Sequence, residues 1–286
     1  MKQASAVLLF FCTFQGLMFS RDLNSRSIET SLPHPRDTTL ALRNPGELVP
    51  EESSSGFPFT TTLCISGAAV LTAGFIETDQ QTYTLLDRWR HHSRLLGTIS
   101  PFVTNFGDGR YSIGLFGSWL SYGLLFNQPD AAQFGKIGLE SFAATGVTVQ
   151  MMKLLFGREQ PNMATAPRGA WHGPFSYFRR RPLTGMGSYD AFPSGHTATV
   201  FAAATVIADW YHSPWVSYTS YSVATAVAVS RVMERMHWVS DCFVGGIIGV
   251  VGTRFVEKIN LPEASLSIQP TARQGTYGVR FAYLLQ

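Results

Sequence analysis

A histidine and an aspartate four residues apart stand out in the stretch SRVMERMHWVSD, residues 230–241. On one helix, His237 and Asp241 would share a face with adjacent side chains. A carboxylate there can accept one ring N–H, which fixes the tautomer and leaves the other nitrogen as a nucleophile or base. An isolated pair with this spacing is more often a surface contact, so its interpretation depends on the residues that accompany it.

A second group with chemical potential is AFPSGHTATVF, residues 191–201, in which PSGH opens an apolar helical segment. Helix N-termini present unpaired N–H groups and the positive end of the helix dipole, which favours anions. Gly195 would let an oxyanion approach the backbone, Ser194 adds a hydroxyl, and His196 would stand at the rim. The alternative is a plain N-cap serine followed by an uninvolved histidine.

A third group, KLLFGREQP at 153–161, supplies positive charge at the end of another apolar segment. Lys153 by itself would be read as a partner of the helix dipole. Together with Arg231, however, it adds fixed cations to an anion site and two histidines. Such a set suits phosphoryl transfer, because charge spreads over three equatorial oxygens that cations and N–H donors stabilise.

The three stretches together resemble the signature of the type 2 phosphatidic acid phosphatase superfamily, which includes bacterial class A acid phosphatases and vanadium haloperoxidases. Its pattern is K-x6-R-P, P-S-G-H and S-R-x5-H-x3-D, and the resemblance covers roughly residues 60–256. P-S-G-H is complete at 193–196. The third part is also complete, with Ser230, Arg231, His237 and Asp241. The first part departs from the pattern, because Gln160 stands where the family usually has arginine.

The resemblance implies a role for each matching residue. His237 would attack phosphorus and form a phosphohistidine, while Asp241 would orient it and stabilise the imidazolium. His196 would protonate the leaving alkoxide and then activate the water that hydrolyses the intermediate. The phosphate oxygens would be held by Lys153, Ser194, Gly195 and Arg231. The resemblance implies no metal and no cofactor.

Three features of these motifs lead to further expectations. Gln160 donates hydrogen bonds without charge, so one charge-assisted contact worth about 1.5–3 kcal/mol is weakened, and we expect lower phosphate affinity rather than lost chemistry. Arg158 is a further phosphate-binding candidate, provided that its turn is not helical. Arg231 precedes His237 by six residues, or about 240° around a continuous helix, so the helix is predicted to break between them.

The elements that must position these residues are helices. Six segments consist mostly of small and apolar residues, as where helices pack closely, and they lack the alternation of strands. They predict an all-α helical bundle of about six core helices, forming a phosphatase domain at 60–258. The segments cover about 60–76, 111–127, 137–156, 195–210, 215–231 and 238–256. The amphipathic stretch at 79–97 is expected to pack against this bundle.

The two ends of the chain differ in character from the bundle. Residues 1–20 place an apolar run after a lysine, which predicts a signal peptide or anchor. Residues 21–59 are rich in Ser, Pro, Arg and Glu, and they read as a flexible tether. The tail at 259–286 alternates apolar with other residues, which is compatible with a short β-hairpin.

Composition points to lipid or to extensive helix burial. Charged residues make up 14% of the chain, against roughly 25% in an average soluble domain. The net charge of +3 gives no indication of nucleic-acid binding. Uncharged runs at 111–129 and 210–230 approach the length of a membrane span, whereas other segments are shorter. An integral bundle and one at the membrane surface both remain open; we favour export to the cell envelope, periplasmic and membrane-associated.

The predicted activity is metal-independent hydrolysis of phosphate monoesters or pyrophosphates. A phosphorylated lipid is favoured over a small phosphate ester, on the low charge and on the basic, aromatic stretch that ends in FRRRP at 178–182. One alternative is a vanadate-dependent haloperoxidase, which the missing cation at Gln160 disfavours. Another is a non-catalytic protein that binds phosphate head groups, which the intact histidines and Asp241 disfavour.

Overall fold

The structure is a computed structural model that describes residues 59–178, 189–260, 266–273 and 276–283. The predicted signal peptide or anchor at 1–20 lies outside these residues, as does the tether up to residue 58. The arginines of the FRRRP stretch, at 179–181, also lie outside them.

The described residues form seven α-helices, so the predicted all-α bundle is confirmed. The predicted segment at 60–76 and most of the amphipathic stretch at 79–97 join into one long helix. The short helix that follows it, which contains Pro101, was not predicted as a separate element. The helices are α1 Phe59–His92, α2 Arg94–Thr104, α3 Gly109–Leu125, α4 Pro129–Phe156, α5 Gly195–Tyr211, α6 Pro214–Met233 and α7 Val239–Asn260. Three-residue 3₁₀ turns lie at Asn105–Gly107, Pro161–Met163 and Ser176–Phe178.

Helix α5 lies at the centre of the bundle, because it contributes to both hydrophobic clusters. In the larger cluster, Phe201 of α5 packs with side chains of α1, α6 and α7, such as Phe75, Val227 and Phe243. In the smaller one, Val206 of α5 packs with side chains of α3 and α4. The N-terminus of α5, which carries the PSGH motif, is therefore anchored by helices on several sides.

Glycines allow the closest helix contacts. A Cβ at Gly135 of α4 would lie 2.3 Å from the backbone nitrogen of Leu120 in α3. A Cβ at Gly245 of α7 would lie 2.5 Å from the carbonyl oxygen of Ser194, at the start of α5. Only glycine fits at such distances, so the sequence brings the first turns of α7 directly against the PSGH turn.

Gly135→Ala is expected to lower the free energy of unfolding by about 1–3 kcal/mol, because the new methyl group would overlap the backbone of α3. The matched control is Gly146→Ala on the same helix, where a Cβ would meet no atom within 4 Å. That change should stabilise the helix by about 0.5–1 kcal/mol. Denaturant unfolding of both variants measures the difference, and a Gly135→Ala protein as stable as the wild type would contradict the assigned α3–α4 contact.

One of the described helices, α7, is long and apolar enough to cross a membrane, with a mean hydropathy of 1.5 over its most apolar window. About 61% of that window is buried inside the bundle. A buried core helix passes the same test of length and composition, so this property alone does not identify a span.

At the C-terminus, where the sequence is compatible with a hairpin, β1 Leu266–Arg273 pairs antiparallel with β2 Thr276–Tyr283. The register places Leu266 opposite Tyr283 and Arg273 opposite Thr276.

Candidate active site

Backbone hydrogen bonds join the three motifs at one end of the bundle. The N–H of Ser194 donates to the carbonyl of Asp241 at 3.0 Å, which links the start of α5 to the first turn of α7. The N–H of Ala191 donates to the carbonyl of Arg158 at 3.1 Å, which links the PSGH loop to the turn after α4. Residues far apart in sequence therefore converge on a single site.

The PSGH turn forms the helix N-terminus that the sequence predicts. Ser194 is the N-cap of α5, and its side-chain oxygen accepts hydrogen bonds from the N–H and the hydroxyl of Thr197. A Cβ at Gly195 would meet only the Val149 side chain, at 3.7 Å. The backbone at Gly195 therefore leaves room beside the start of α5, where the helix dipole favours an anion.

The predicted break between Arg231 and His237 is present. Helix α6 ends at Met233 and α7 begins at Val239, while Arg235 between them adopts a left-handed conformation with φ of 60°.

Arg231 lies in the last turn of α6 and is only 7% exposed. Its Nε has no hydrogen-bond partner among the described residues. A buried donor without a partner is costly, and a phosphate oxygen would satisfy it.

His237 lies in the connection between α6 and α7 and is 4% exposed. Its Nδ1 lies 2.7 Å from the carbonyl oxygen of Ala191. A carbonyl can only accept, so Nδ1 carries the proton and Nε2 keeps its lone pair. In this tautomer the imidazole can act as a nucleophile through Nε2.

Asp241 does not accept this ring N–H directly, contrary to the prediction from the His-x3-Asp spacing. Its Oδ2 lies 3.9 Å from Nδ1 of His237. The reason is that α7 begins only at Val239, so the two side chains do not occupy one helical face. Asp241 is close enough to stabilise positive charge on the ring, while Ala191 holds the tautomer.

Burial lowers the pKa of His237 well below its ordinary value, and the positive charges of Arg231 and Lys153 lower it further. The ring is therefore neutral in neutral and mildly acidic solution, which is the form that a nucleophile needs.

His196, the second residue of α5, experiences a similar environment. Burial and then the charge of Arg231 lower its pKa to about 4, although the carboxylate of Asp108 opposes the shift. A phosphate dianion beside it would raise this pKa, because the negative charge favours the imidazolium. A proton donor for the leaving group would thus form as an anionic substrate binds.

Lys153 and Gln160 both contact an acidic residue that the sequence did not single out. The ammonium group of Lys153 lies 3.7 Å from one carboxylate oxygen of Asp190, and the amide of Gln160 donates to the other at 2.5 Å. The family's usual arginine at position 160 would balance the charge of Asp190. With glutamine there, Asp190 offsets part of the charge that Lys153 would offer to phosphate.

Asp190→Asn is expected to strengthen inhibition by vanadate roughly fivefold, since the removed charge opposes a bound anion by about 1 kcal/mol. Dose–response curves with a chromogenic phosphate monoester measure the effect. The control is Asp130→Asn, which changes an exposed acid in the first turn of α4, at the opposite end of that helix from Lys153. Equal inhibition constants for wild type and Asp190→Asn would show that Asp190 does not offset Lys153.

The structure does not support Arg158 as a phosphate ligand. Its side chain is fully buried. All five of its N–H donors are used: two contact Ser240 and Asp241, one contacts Asp79, and two contact the carbonyl of Arg168. No donor remains for a substrate.

Residues 136–261, which include all of the predicted site residues, match the family model of the PAP2 superfamily. This part of the chain belongs to the PAP2 superfamily. The recognition made from the three motifs is therefore confirmed.

Two curated relatives are lipid A 1-phosphatases. The chain is 43% identical over 82 residues to the one from Porphyromonas gingivalis, covering 28% of this chain and 18% of that protein. It is 26% identical over 165 residues to the one from Rhizobium etli, covering 53% of this chain and 66% of that protein. The matches thus span less than two thirds of either relative.

A solved structure shares the fold. The transmembrane PAP2 type phosphatidylglycerolphosphate phosphatase from Bacillus subtilis superposes with a TM-score of 0.52 at 18% sequence identity. The match covers 71% of this chain and 96% of that structure.

Proposed function

We propose that this PAP2 protein is a phosphatase that hydrolyses phosphate monoesters or pyrophosphates through a phosphohistidine on His237, without a metal. The observation that carries the proposal is the state of His237. Its Nδ1–H is held by the Ala191 carbonyl, and its ring lies within the electrostatic influence of buried Arg231, whose Nε has no hydrogen-bond partner among the described residues.

In the first step, Nε2 of His237 attacks phosphorus and the bond from phosphorus to the leaving oxygen breaks. Protonated His196 gives its proton to that oxygen, so that an alcohol leaves rather than an alkoxide. Arg231, Lys153 and the N–H groups at the start of α5 stabilise the equatorial oxygens. The carboxylate of Asp241, 3.9 Å from Nδ1, offsets the positive charge that the ring acquires.

In the second step, water attacks phosphorus and the bond to Nε2 breaks. His196, now neutral, takes a proton from that water. Inorganic phosphate leaves, and His237 returns to the tautomer that the Ala191 carbonyl stabilises. The cycle balances without a metal or a redox partner.

The proposed substrate class is a lipid phosphate, of the lipid A 1-phosphate type named for the two relatives. Four exposed aromatic residues beside the site support it; this aromatic rim consists of Phe156, Trp171, Phe175 and Phe178. Trp171 contacts Phe192 of the PSGH loop, with ring centroids 5.2 Å apart. Such a surface suits acyl chains or a membrane interface better than a free sugar phosphate.

The proposed location is the cell envelope, with the site facing the periplasm and the chain associated with the membrane. Beyond the rim, large apolar side chains are exposed on α3 and α7, such as Leu125 and Phe255. Contact with lipid would remove these side chains from water. A membrane-associated location would also place the site close to a lipid substrate.

The test is phosphate release from lipid A and from phosphatidic acid by the full chain in detergent, with EDTA present. Radiolabelled substrate should also leave an acid-labile, alkali-stable label on the wild type and on the control His92→Gln, which changes an exposed histidine of α1. Preference for lipid A supports the finer assignment, whereas preference for phosphatidic acid replaces it. Binding of lipid phosphate without release or label would identify a head-group binding protein instead.

A further inference from the structure

Three charged side chains are buried together beneath the site, each with no exposed surface. Asp79 comes from the middle of α1, Arg158 from the turn after α4, and Asp241 from the first turn of α7. Burying charges is costly unless they are paired and hydrogen-bonded. Asp79 also lies outside the residues that match the family model, and no motif includes it.

The two carboxylates of this buried trio hold the backbone that follows His237. Oδ1 of Asp79 accepts the N–H of Ser240 at 3.0 Å, and Oδ2 accepts the Ser240 hydroxyl at 2.5 Å. Oδ2 of Asp241 accepts the N–H of Trp238 at 2.8 Å. The first N–H groups of a helix have no partner within it, so both carboxylates cap α7, one locally and one from α1.

Arg158 joins the two caps. One terminal nitrogen donates to Asp241 at 2.5 Å and the other donates to Asp79 at 2.7 Å. The guanidinium carbon lies 4.8 Å from the ring centroid of Trp171 and 5.3 Å from that of Trp238. The planar guanidinium is held between two rings. It therefore orients both carboxylates and also balances their negative charge.

We propose that Asp79 and Arg158 are positioning residues, which act through Asp241 and Ser240 to hold the start of α7 and so aim Nε2 of His237 at phosphorus. The inference rests on the proposed phosphatase function. An attacking atom displaced by about 1 Å can cost about 100-fold in rate. The network therefore bears on turnover although none of its three members is placed against phosphate.

Asp79→Asn removes one acceptor from the network and keeps its shape. We expect kcat to fall about 10- to 100-fold, while the inhibition constant for inorganic phosphate stays within about threefold, because phosphate binds to the cations and N–H groups without a bond to Nε2. Glu77→Gln is the matched control, since it alters an exposed carboxylate of α1 that pairs with Arg168. Its kcat should equal that of the wild type.

A double-mutant cycle separates positioning from plain stabilisation. If Asp79 and Arg158 act as one network, then Asp79→Asn combined with Arg158→Lys should lose clearly less kcat than the product of the two single losses. Independent losses that multiply would overturn the proposal, as would an Asp79→Asn protein with wild-type kcat.

If Asp79→Asn fails to fold, Arg158→Lys is a second variant that tests the same network. The variant keeps the positive charge and loses the planar guanidinium, so kcat should fall with little change in inhibition by inorganic phosphate. A tenfold weaker inhibition by inorganic phosphate would instead make Arg158 a phosphate ligand and overturn the proposal.

Failure of the positioning role can be distinguished from failure of the proposed function. A wild-type protein without turnover would overturn that function, and the effect of Asp79 on His237 would then be measured by the ¹⁵N chemical shifts of the His237 ring. The wild type should keep its proton on Nδ1, whereas Asp79→Asn should weaken that preference, because a displaced ring loses part of its hydrogen bond to the Ala191 carbonyl. An unchanged tautomer and ring environment would overturn the positioning role independently of activity.

Discussion

Replacing His237 with alanine is expected to remove turnover almost completely, with a loss of about 10⁵- to 10⁶-fold in kcat. The variant lacks the imidazole whose Nδ1 donates to the Ala191 carbonyl and whose neutral Nε2 is left to attack phosphorus. Without it, no phosphoenzyme forms, and the remaining cations stabilise only the slow direct attack by water. Initial rates of phosphate release in EDTA measure the loss.

The same variant provides an internal check on the site. Arg231, Lys153 and the N-terminus of α5 remain in place, so vanadate should still protect His237→Ala against thermal unfolding, although more weakly. His92→Ala, an exposed histidine of α1, should behave as the wild type. Measurable turnover in His237→Ala at the wild-type rate would remove phosphohistidine from the mechanism.

The local parts of the site were predictable from sequence because their geometry depends on near neighbours. Pro-Ser-Gly-His before an apolar run predicts a capped helix start, and Ser194 caps α5 as expected. The angle between Arg231 and His237 on a helix predicts a break, which the α6–α7 connection provides. In both cases a few consecutive residues determine the backbone.

The parts that were missed depend on contacts between distant segments. The sequence alone does not distinguish Asp79 from Asp87, which lies on the same helix. In the structure, however, Asp79 caps α7 whereas Asp87 pairs with Arg235. Only the packing of α1 against α7 distinguishes them. Asp190 is similar, because its significance appears only when the turn after α4 brings Gln160 beside it.

One prediction was wrong because it placed His237 and Asp241 on one continuous helix, although α7 begins only at Val239. That prediction gave the ring N–H of His237 to Asp241, whereas residues 234–238 connect the two helices and the Ala191 carbonyl accepts the hydrogen bond from Nδ1. Asp241 is then free to accept the N–H of Trp238 and to pair with Arg158. A predicted i, i+4 contact is reliable only when both residues lie inside the helix.

Replacing His196 with alanine is expected to slow hydrolysis of an alkyl phosphate by about 10²- to 10⁴-fold, because the leaving alkoxide loses its proton donor. A p-nitrophenyl ester needs no such proton, so formation of the phosphoenzyme from it should be nearly unaffected. The residue's position at the start of α5, beside Lys153 and Arg231, makes it the group that both steps use.

The second step of the same variant should reveal the intermediate. Alanine at position 196 cannot activate water, so the phosphohistidine on His237 should accumulate after it forms from p-nitrophenyl phosphate. Rapid-quench measurements should then show a burst of nitrophenol equal to the enzyme concentration, followed by turnover about 10²- to 10⁴-fold slower than in the wild type. Equal losses for alkyl and nitrophenyl esters without a burst would assign His196 to phosphate binding alone, since a residue that only holds oxygens cannot distinguish the two leaving groups.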